Sequence, residues 1–179
     1  MMQTYPPRTE KEAVAVTSVW WDINRCPVPA DVDARLIGPF IKRSLKKLGY
    51  SGRVTITAIG ILTEVDNDVL QALWSTGVSL HHVPTKGLVR PLSVLLEDYP
   101  PPANLMGISR EGFLDGYLEA LSSRKYNILA SLYPERPISI FSAFTRFEGC
   151  YLWDTFLADI RPTGFTRSEL SSNLKTSLA

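Results

Sequence analysis

The sequence has few cysteines, little net charge and no long hydrophobic run. Its 179 residues include two cysteines, Cys26 and Cys150, which are too few for a disulfide framework and are expected as free thiols in a reducing compartment. The formal net charge is +1 at pH 7, so contact with nucleic acid would have to come from a local basic patch. Apolar runs such as residues 58–62 are too short to span a bilayer. The first residues also lack the apolar core of a secretory signal.

The composition is that of an ordinary globular domain. Hydrophobic residues make up 45% and charged residues 21%, which is enough apolar material for a core. The length suits one domain. We expect a loose leader over residues 1–16, one domain over residues 17–158, and a poorly ordered, Ser/Thr-rich tail over residues 159–179.

Strand and helix patterns alternate along the chain. Short runs of β-branched and aromatic residues predict strands, and apolar residues at helical spacing predict helices. The predicted strands cover residues 18–23, 53–59, 78–83, 104–108, 127–132 and 150–153. The predicted helices cover residues 31–48 (interrupted at Gly38-Pro39), 66–76, 89–97, 112–123 and 138–147. This alternation is typical of βαβ units, so we predict a three-layer, Rossmann-like α/β fold in which helices flank a parallel sheet.

The candidate catalytic residues are the two carboxylates predicted near the carboxyl ends of the strands, where open parallel sheets bind ligands. Asp22 ends the first strand and Glu111 follows the fourth. A two-metal nuclease site needs more oxygen ligands than two carboxylates provide. Arg25 and Arg110 lie beside them and would oppose a cation while favouring a phosphate. Asp22 could ligate a metal or simply cap local backbone donors, and Glu111 could equally serve a helix dipole.

A second candidate surface is the basic side of the first long helix, formed by Lys42, Arg43, Lys46 and Lys47. Such a face is often only solvated. The functional alternative is phosphate contact along single-stranded RNA, which would need aromatic side chains nearby for stacking.

Several ordered segments carry a family resemblance. They are Val-Trp-Trp-Asp-Ile at 19–23, Cys-Pro-Val-Pro at 26–29, Leu-Lys-Lys-Leu-Gly-Tyr-Ser-Gly at 45–52, His-Val-Pro at 82–84, Pro-Pro-Pro-Ala-Asn at 100–104, and Tyr-Leu-Trp at 151–153. Together they resemble the plant NYN domains of the limkain, or meiosis-arrest-female, type, which belong to the PIN-like nucleases. The resemblance implies a PIN-like fold and metal-dependent ribonuclease chemistry with Mg²⁺ or Mn²⁺.

The acidic motif of that family is altered on the first strand. The family carries Asp-x-Glu-Asn there. In this chain Asp22 matches the Asp, whereas Asn24 stands at the Glu position and Arg25 at the Asn position. The family usually has an Asp after the glycine that ends the second strand, and here Gly60 is followed by Ile61.

Two further acidic positions of the family also differ. The acidic segment before the central helix corresponds to residues 85–92, which contain no acid. The family's Ser-Gly-Asp-x-Asp-Phe corresponds to Ser109 followed by Arg110 and Glu111, with Phe113 at the second Asp position. A degenerate acidic site follows, at which we expect no bound metal.

The resulting prediction is a NYN-family protein of RNA metabolism and regulation of gene expression, catalytically impaired and acting as an RNA-binding or interaction module. Two alternatives stay open: a weak metal-dependent endoribonuclease that uses Asp22 and Glu111, and a structural or dimerisation remnant. The expected partners are single-stranded RNA and a protein, and not a membrane. The expected location is the cytoplasm or nucleus, with the peroxisome admitted by the resemblance alone. The predicted nucleic-acid contacts are Arg25, Lys42, Arg43, Lys46, Lys47 and Arg110.

Overall fold

The computed structural model describes residues 6–84, 100–109, 124–133 and 151–162. The helices within them are α1 (Glu10–Val14), α2 (Ala34–Lys47), α3 (Asn67–Ser75) and α4 (Trp153–Phe156). The strands are β1 (Thr17–Asp22), β2 (Val54–Gly60), β3 (Ser79–His82), β4 (Asn104–Ile108), β5 (Asn127–Tyr133) and β6 (Tyr151–Leu152). Short 3-10 helices cover Leu62–Glu64 and Leu157–Ile160.

The strands form one parallel sheet in the order β3-β2-β1-β4-β5-β6. Thr17 of β1 pairs with Val54 and Asn104, so these residues mark the amino edge of the sheet. The opposite, carboxyl edge is marked by Asp22 and Gly60, where β1 and β2 end. The chain order reverses between β1 and β4, and such a switch point is where open α/β sheets bind ligands. The predicted parallel α/β fold with flanking helices is thereby confirmed.

Helix α2 crosses one face of the sheet from the carboxyl edge back to the amino edge. Asp33 caps its first turn, where the side chain accepts a hydrogen bond of 2.9 Å from the amide of Arg35. The buried face includes Ile37, Ile41 and Leu45. The predicted interruption at Gly38-Pro39 does not occur, because Pro39 lies inside one continuous helix. Burial of residues on both sides of the proline outweighs the one backbone hydrogen bond that it removes.

The described part of the predicted leader is a short helix bound to the amino edge. Thr9 caps α1 by accepting from the amide of Glu12 at 3.2 Å. The side-chain amide of Asn104 donates to the carbonyl of Glu12 at 2.8 Å, and the amide of Ser51 donates to the carbonyl of Ala13 at 2.8 Å. The expectation of a loose leader therefore does not hold for residues 6–16. A five-residue helix is too short to show helical periodicity in the sequence.

The C-terminal described segment packs against the loop that follows β1. Nε1 of Trp153 donates to the carbonyl of Pro27 at 2.8 Å, and Nη1 of Arg161 donates to Asp31 at 3.1 Å. Leu157 is fully buried. Residues 159–162 thus differ from the expected disordered tail, because Ile160 packs against the core and Arg161 pairs with Asp31.

The predicted strands agree with the structure within one residue at each end for β1 to β5. The last predicted strand is shorter than expected, because Trp153 begins α4. The helices predicted over residues 89–97, 112–123 and 138–147 lie outside the described residues. Trp20 and Trp21 are both buried, as a core role requires. None of the described helices combines the length and apolar character needed to cross a membrane.

Candidate functional site

Asp22 lies at the end of β1, at the switch point of the sheet, and is only 2% exposed. Its Oδ1 accepts a hydrogen bond of 3.1 Å from the backbone amide of Arg25. Its backbone carbonyl accepts one of 2.9 Å from the amide of Cys26. The carboxylate therefore closes the turn that follows the strand, which is the capping role open to a short acidic side chain.

The second carboxylate oxygen of Asp22 is held by two side chains. Nη1 of Arg25 donates to Oδ2 at 2.7 Å, and Oγ of Ser109 donates to the same atom at 3.2 Å. Ser109 follows β4 and is 2% exposed, whereas the side chain of Arg25 is 28% exposed. A charge-assisted bond of this length is strong because the pair is largely shielded from water. Arg25 thus supplies the positive charge that faces Asp22.

Asn24, at the position where the resemblance places a glutamate, ties the end of β1 to the loop after β2. Its Oδ1 accepts from the amide of Ile61 at 2.6 Å, and its Nδ2 donates to the carbonyl of the same residue at 3.3 Å. Gly60 permits this contact, because a Cβ there would lie 2.2 Å from Oδ1 of Asn24. Both polar atoms of Asn24 are therefore engaged with backbone.

The loop after β2 is also held from β3. The amide of Leu62 donates to Nδ1 of His82 at 3.2 Å, and the amide of Val83 donates to the carbonyl of Gly60 at 2.9 Å. His82 acts as an acceptor at Nδ1 and is occupied by this local contact. The carboxyl ends of β1, β2 and β3 are therefore joined by side-chain and backbone hydrogen bonds.

Aromatic side chains pack against the loop that follows β1 and so support the site. Trp21 donates from Nε1 to the carbonyl of Cys26 at 2.7 Å, and its ring centroid lies 5.2 Å from that of Trp153. Phe156 packs against both Trp153 and Phe40, with centroid separations of 6.2 and 4.9 Å. The loop after β1 is thereby fixed on an aromatic layer, which keeps Arg25 close to Asp22.

The structure brings together only part of the residues predicted for the site. Asp22 and Arg25 are in direct contact, and Ser109, which follows β4, joins them. Glu111 and Arg110 lie outside the described residues, so their catalytic and nucleic-acid roles stay predictions. Ser109 and Asn24 were not predicted as site residues. Their positions next to strand ends are the one sequence signal that could have indicated them.

The basic residues of α2 lie away from Asp22. The helix begins near the carboxyl edge, and at ~1.5 Å per residue Lys46 and Lys47 lie nearly 20 Å further along, towards the amino edge. Lys42 is half-buried, and its Nζ lies 3.7 Å from the position of a Cβ on Gly77, beside the C-terminus of α3. Arg43 lies over the ring of Phe40 at 5.6 Å. Lys46 and Lys47 therefore lie towards the opposite edge of the sheet from Asp22, and the nucleic-acid role of all four cations stays a prediction.

The described residues at the carboxyl edge do not form a set of metal ligands. Across the described ranges, which stop at 84, 109, 133 and 162, no three His, Cys, Asp or Glu side chains are grouped as metal ligands. Asp22 uses its oxygens on Arg25 and Ser109. A guanidinium 2.7 Å from Oδ2 also repels a divalent cation from that carboxylate.

Comparison with known proteins gives one family. No curated protein matches the chain. The family model of the NYN domain matches residues 16–148, which cover well over half of the chain and contain β1 to β5. Metal-dependent ribonuclease chemistry is typical of NYN domains, so the Asp22–Arg25 pair has to be compared with the metal site of such a domain. The chain belongs to the NYN domain family, within the PIN-like nuclease superfamily.

Proposed function

We propose that this protein is a NYN domain in which an internal ion pair has replaced the metal site, and that it acts in RNA metabolism by binding RNA rather than by cleaving it. The observation that carries the proposal is the bond of 2.7 Å between Nη1 of Arg25 and Oδ2 of Asp22. A metal-dependent nuclease needs the carboxylate at this place for its cation. Here a cation of the chain itself neutralises that carboxylate.

The neighbouring contacts support the same conclusion. Asn24 stands where the family resemblance places an acidic ligand, and both ends of its amide bind Ile61. Ser109 donates to Asp22 and so adds a neutral hydrogen bond to the ion pair. The oxygens of Asp22 are therefore engaged with Arg25 and Ser109, and the amide of Asn24 is engaged with the loop after β2.

The test is a cleavage and binding assay on the full chain. A labelled single-stranded RNA is incubated in Mn²⁺ and, separately, in Mg²⁺ with the parent protein and with Asp22→Asn and Asp22→Ala. Thermal unfolding is recorded with and without each metal. We expect no cleavage above that of the Asp22 variants and no rise in melting temperature with metal, because a ligand of the folded state would raise it. We also expect salt-dependent RNA binding by the parent.

Mn²⁺-dependent cleavage by the parent that is lost in both Asp22 variants would refute the proposal. Such a result would favour the alternative of a weak endoribonuclease that uses Asp22. Absence of both cleavage and RNA binding would refute the RNA-binding role and leave the structural or dimerisation remnant.

A further inference from the structure

Charged side chains are distributed unevenly between the two edges of the sheet. Helix α1, the end of α2, the turn before β2 and the turn before β5 all lie at the amino edge. Their exposed basic residues are Arg8, Lys11, Lys46, Lys47, Arg53, Arg124 and Lys125. The acidic residues described in the same segments are Glu10 and Glu12. A small net charge for the whole chain therefore conceals a basic end.

Direct contacts hold these segments together at one end of the molecule. Arg8 of the N-terminal segment reaches Oδ1 of Asn127 at the start of β5, at 3.5 Å. Gly52, next to Arg53, packs so closely on the carbonyl of Ala15 that a Cβ there would lie 2.1 Å from it. Gly49, next to the end of α2, contacts Pro7. The basic residues therefore belong to one surface, the amino-edge surface, rather than to separate parts of the domain.

The acids of the amino-edge surface do little to cancel its charge. Glu12 forms an ion pair with Arg8 and is half-buried. Glu10 is exposed in the first turn of α1, where its charge also suits the helix dipole. Among the described residues of this surface, the exposed ammonium and guanidinium groups on the end of α2 and before β5 therefore outnumber the acids.

The described residues of the carboxyl edge have the opposite character. The basic side chains described there, Arg25, Arg35 and Arg161, each form an ion pair with an aspartate: Asp22, Asp33 and Asp31. Three further acids, Glu64, Asp66 and Asp68, are exposed in the 3-10 turn and the start of α3. An RNA phosphate approaching these described residues would meet acidic groups and cations that are already paired.

We propose that single-stranded RNA binds to the amino-edge surface, at the opposite end of the domain from the Asp22–Arg25 pair. This inference rests on the proposed RNA-binding function and names the surface that carries it. Lysine and arginine bind the phosphate backbone and release its counterions, so binding is insensitive to base sequence and falls steeply with salt. Lys46, Lys47 and Arg124 are chosen for the test because they are exposed, and because the contacts of Gly49 with Pro7 and of Arg8 with Asn127 hold their segments at this edge.

The experiment measures fluorescence anisotropy of a labelled oligouridine with the full chain over a series of KCl concentrations. The test variant is Lys46→Gln/Lys47→Gln/Arg124→Gln. The matched control is Thr63→Glu/Asn67→Asp/Gln71→Glu, which lowers the net charge equally at exposed positions in the 3-10 turn and on α3, nearer the carboxyl edge. Circular dichroism establishes that both variants are folded.

We expect the test variant to bind roughly tenfold more weakly or worse than the parent, with a salt slope smaller by about 0.7 for each lost phosphate contact. The control should bind within about twofold of the parent, since distant charges are screened beyond ~10 Å at 0.1 M salt. Equal weakening of both variants, or no weakening of the test variant, would overturn the amino-edge site while the RNA-binding function stands. A parent that binds no RNA would overturn both. The same titration is run with a labelled acidic peptide. If the parent binds that peptide through the amino-edge surface and does not bind oligouridine, the RNA site is overturned in favour of a protein partner.

Discussion

Oδ2 of Asp22 is shared between Nη1 of Arg25 at 2.7 Å and Oγ of Ser109 at 3.2 Å. The three residues come from the end of β1, the turn after it, and the residue that follows β4. They meet at the point where the strand order reverses, which is the place at which this class of sheet binds ligands. In the described residues, the strand-end position at which such sheets bind ligands is therefore occupied by an internal ion pair.

The first prediction concerns the stability that this pair provides. Asp22→Asn should lower the free energy of unfolding by about 1–3 kcal/mol, because it leaves a partly buried guanidinium without its carboxylate. Urea unfolding of Asp22→Asn, Arg25→Gln and the double variant measures the coupling, expected at about 0.5–3 kcal/mol for residues in contact.

The opposite sign would contradict this account. If Asp22 served to bind a cation from solution rather than Arg25, its charge would repel the other carboxylates of an empty metal site. Removal of that charge would then raise the free energy of unfolding in metal-free buffer. A stabilised Asp22→Asn variant with no coupling to Arg25 would therefore speak for a metal ligand.

The second prediction concerns the close approach of Gly60 to Asn24. A methyl group at position 60 would lie 2.2 Å from Oδ1 of Asn24 and 3.0 Å from Cγ2 of Ile23. Gly60→Ala should therefore cost about 1–3 kcal/mol of stability, as overpacking commonly does. The displaced Asn24 would also lose its bond of 2.6 Å to the amide of Ile61.

A double variant separates the clash from the lost hydrogen bond. In Gly60→Ala/Asn24→Ala the amide that obstructs the new methyl group is gone, so the double variant should be more stable than the sum of the single effects predicts. Denaturant unfolding of the three variants measures this. Strict additivity would show that Asn24 does not fill the space beside Gly60.

The sequence was sufficient for the strands but not for the chemistry at their ends. β-Branched and aromatic runs located β1 to β5 within one residue, because such residues are selected by a half-buried pleated surface. Alternation with helices was enough to predict a parallel sheet. The location of Asp22 at the carboxyl edge followed from those two features alone.

Contacts between distant segments could not be obtained in the same way. The bond from Ser109 to Asp22 joins residues 87 positions apart, and no local pattern records it. Likewise, the sequence predicted the basic face of α2 as a second candidate surface without fixing its position relative to Asp22, and the direction of the helix places Lys46 and Lys47 towards the other edge. Helix α1 was missed because its stability comes from Asn104 and Ser51 rather than from its own short sequence.

The third prediction tests how α1 is held. The amide of Asn104, which is fully buried, donates to the carbonyls of Glu12 and Ala15 at 2.8 and 3.4 Å and to Oγ1 of Thr17 at 3.2 Å. Asn104→Ala should cost about 2 kcal/mol or more, because several buried groups lose their partner together. Hydrogen exchange should accelerate at the amides of Ala13 and Ala15, which close the helix.

A matched control distinguishes local release of α1 from general destabilisation. Ser51→Ala removes one exposed hydroxyl that donates to the carbonyl of Ala13 at 3.2 Å, and should have an effect within about 0.5 kcal/mol. Uniform acceleration of exchange across β1 and β2 in Asn104→Ala, with no excess in α1, would contradict the proposed docking role.

The fourth prediction concerns the pH dependence of the Arg8–Glu12 pair on α1. Burial raises the pKa of Glu12, but the hydrogen bonds and charge of Arg8 outweigh burial and leave the pKa below its ordinary value of 4.5. A lowered carboxyl pKa contributes stability above the unfolded pKa, and that contribution is lost as the pH falls through the folded pKa. Glu12→Gln should therefore lower the free energy of unfolding at pH 7 by about 0.2–1 kcal/mol, because the Arg8 side of the pair is open to water, and should have little effect at pH 3. Urea unfolding at both pH values tests this, with Glu10→Gln as the control that removes the same charge from the same helix.

A Glu12→Gln effect that is equal at pH 7 and pH 3 would show that packing, rather than the charge of the carboxylate, holds Glu12 against Arg8.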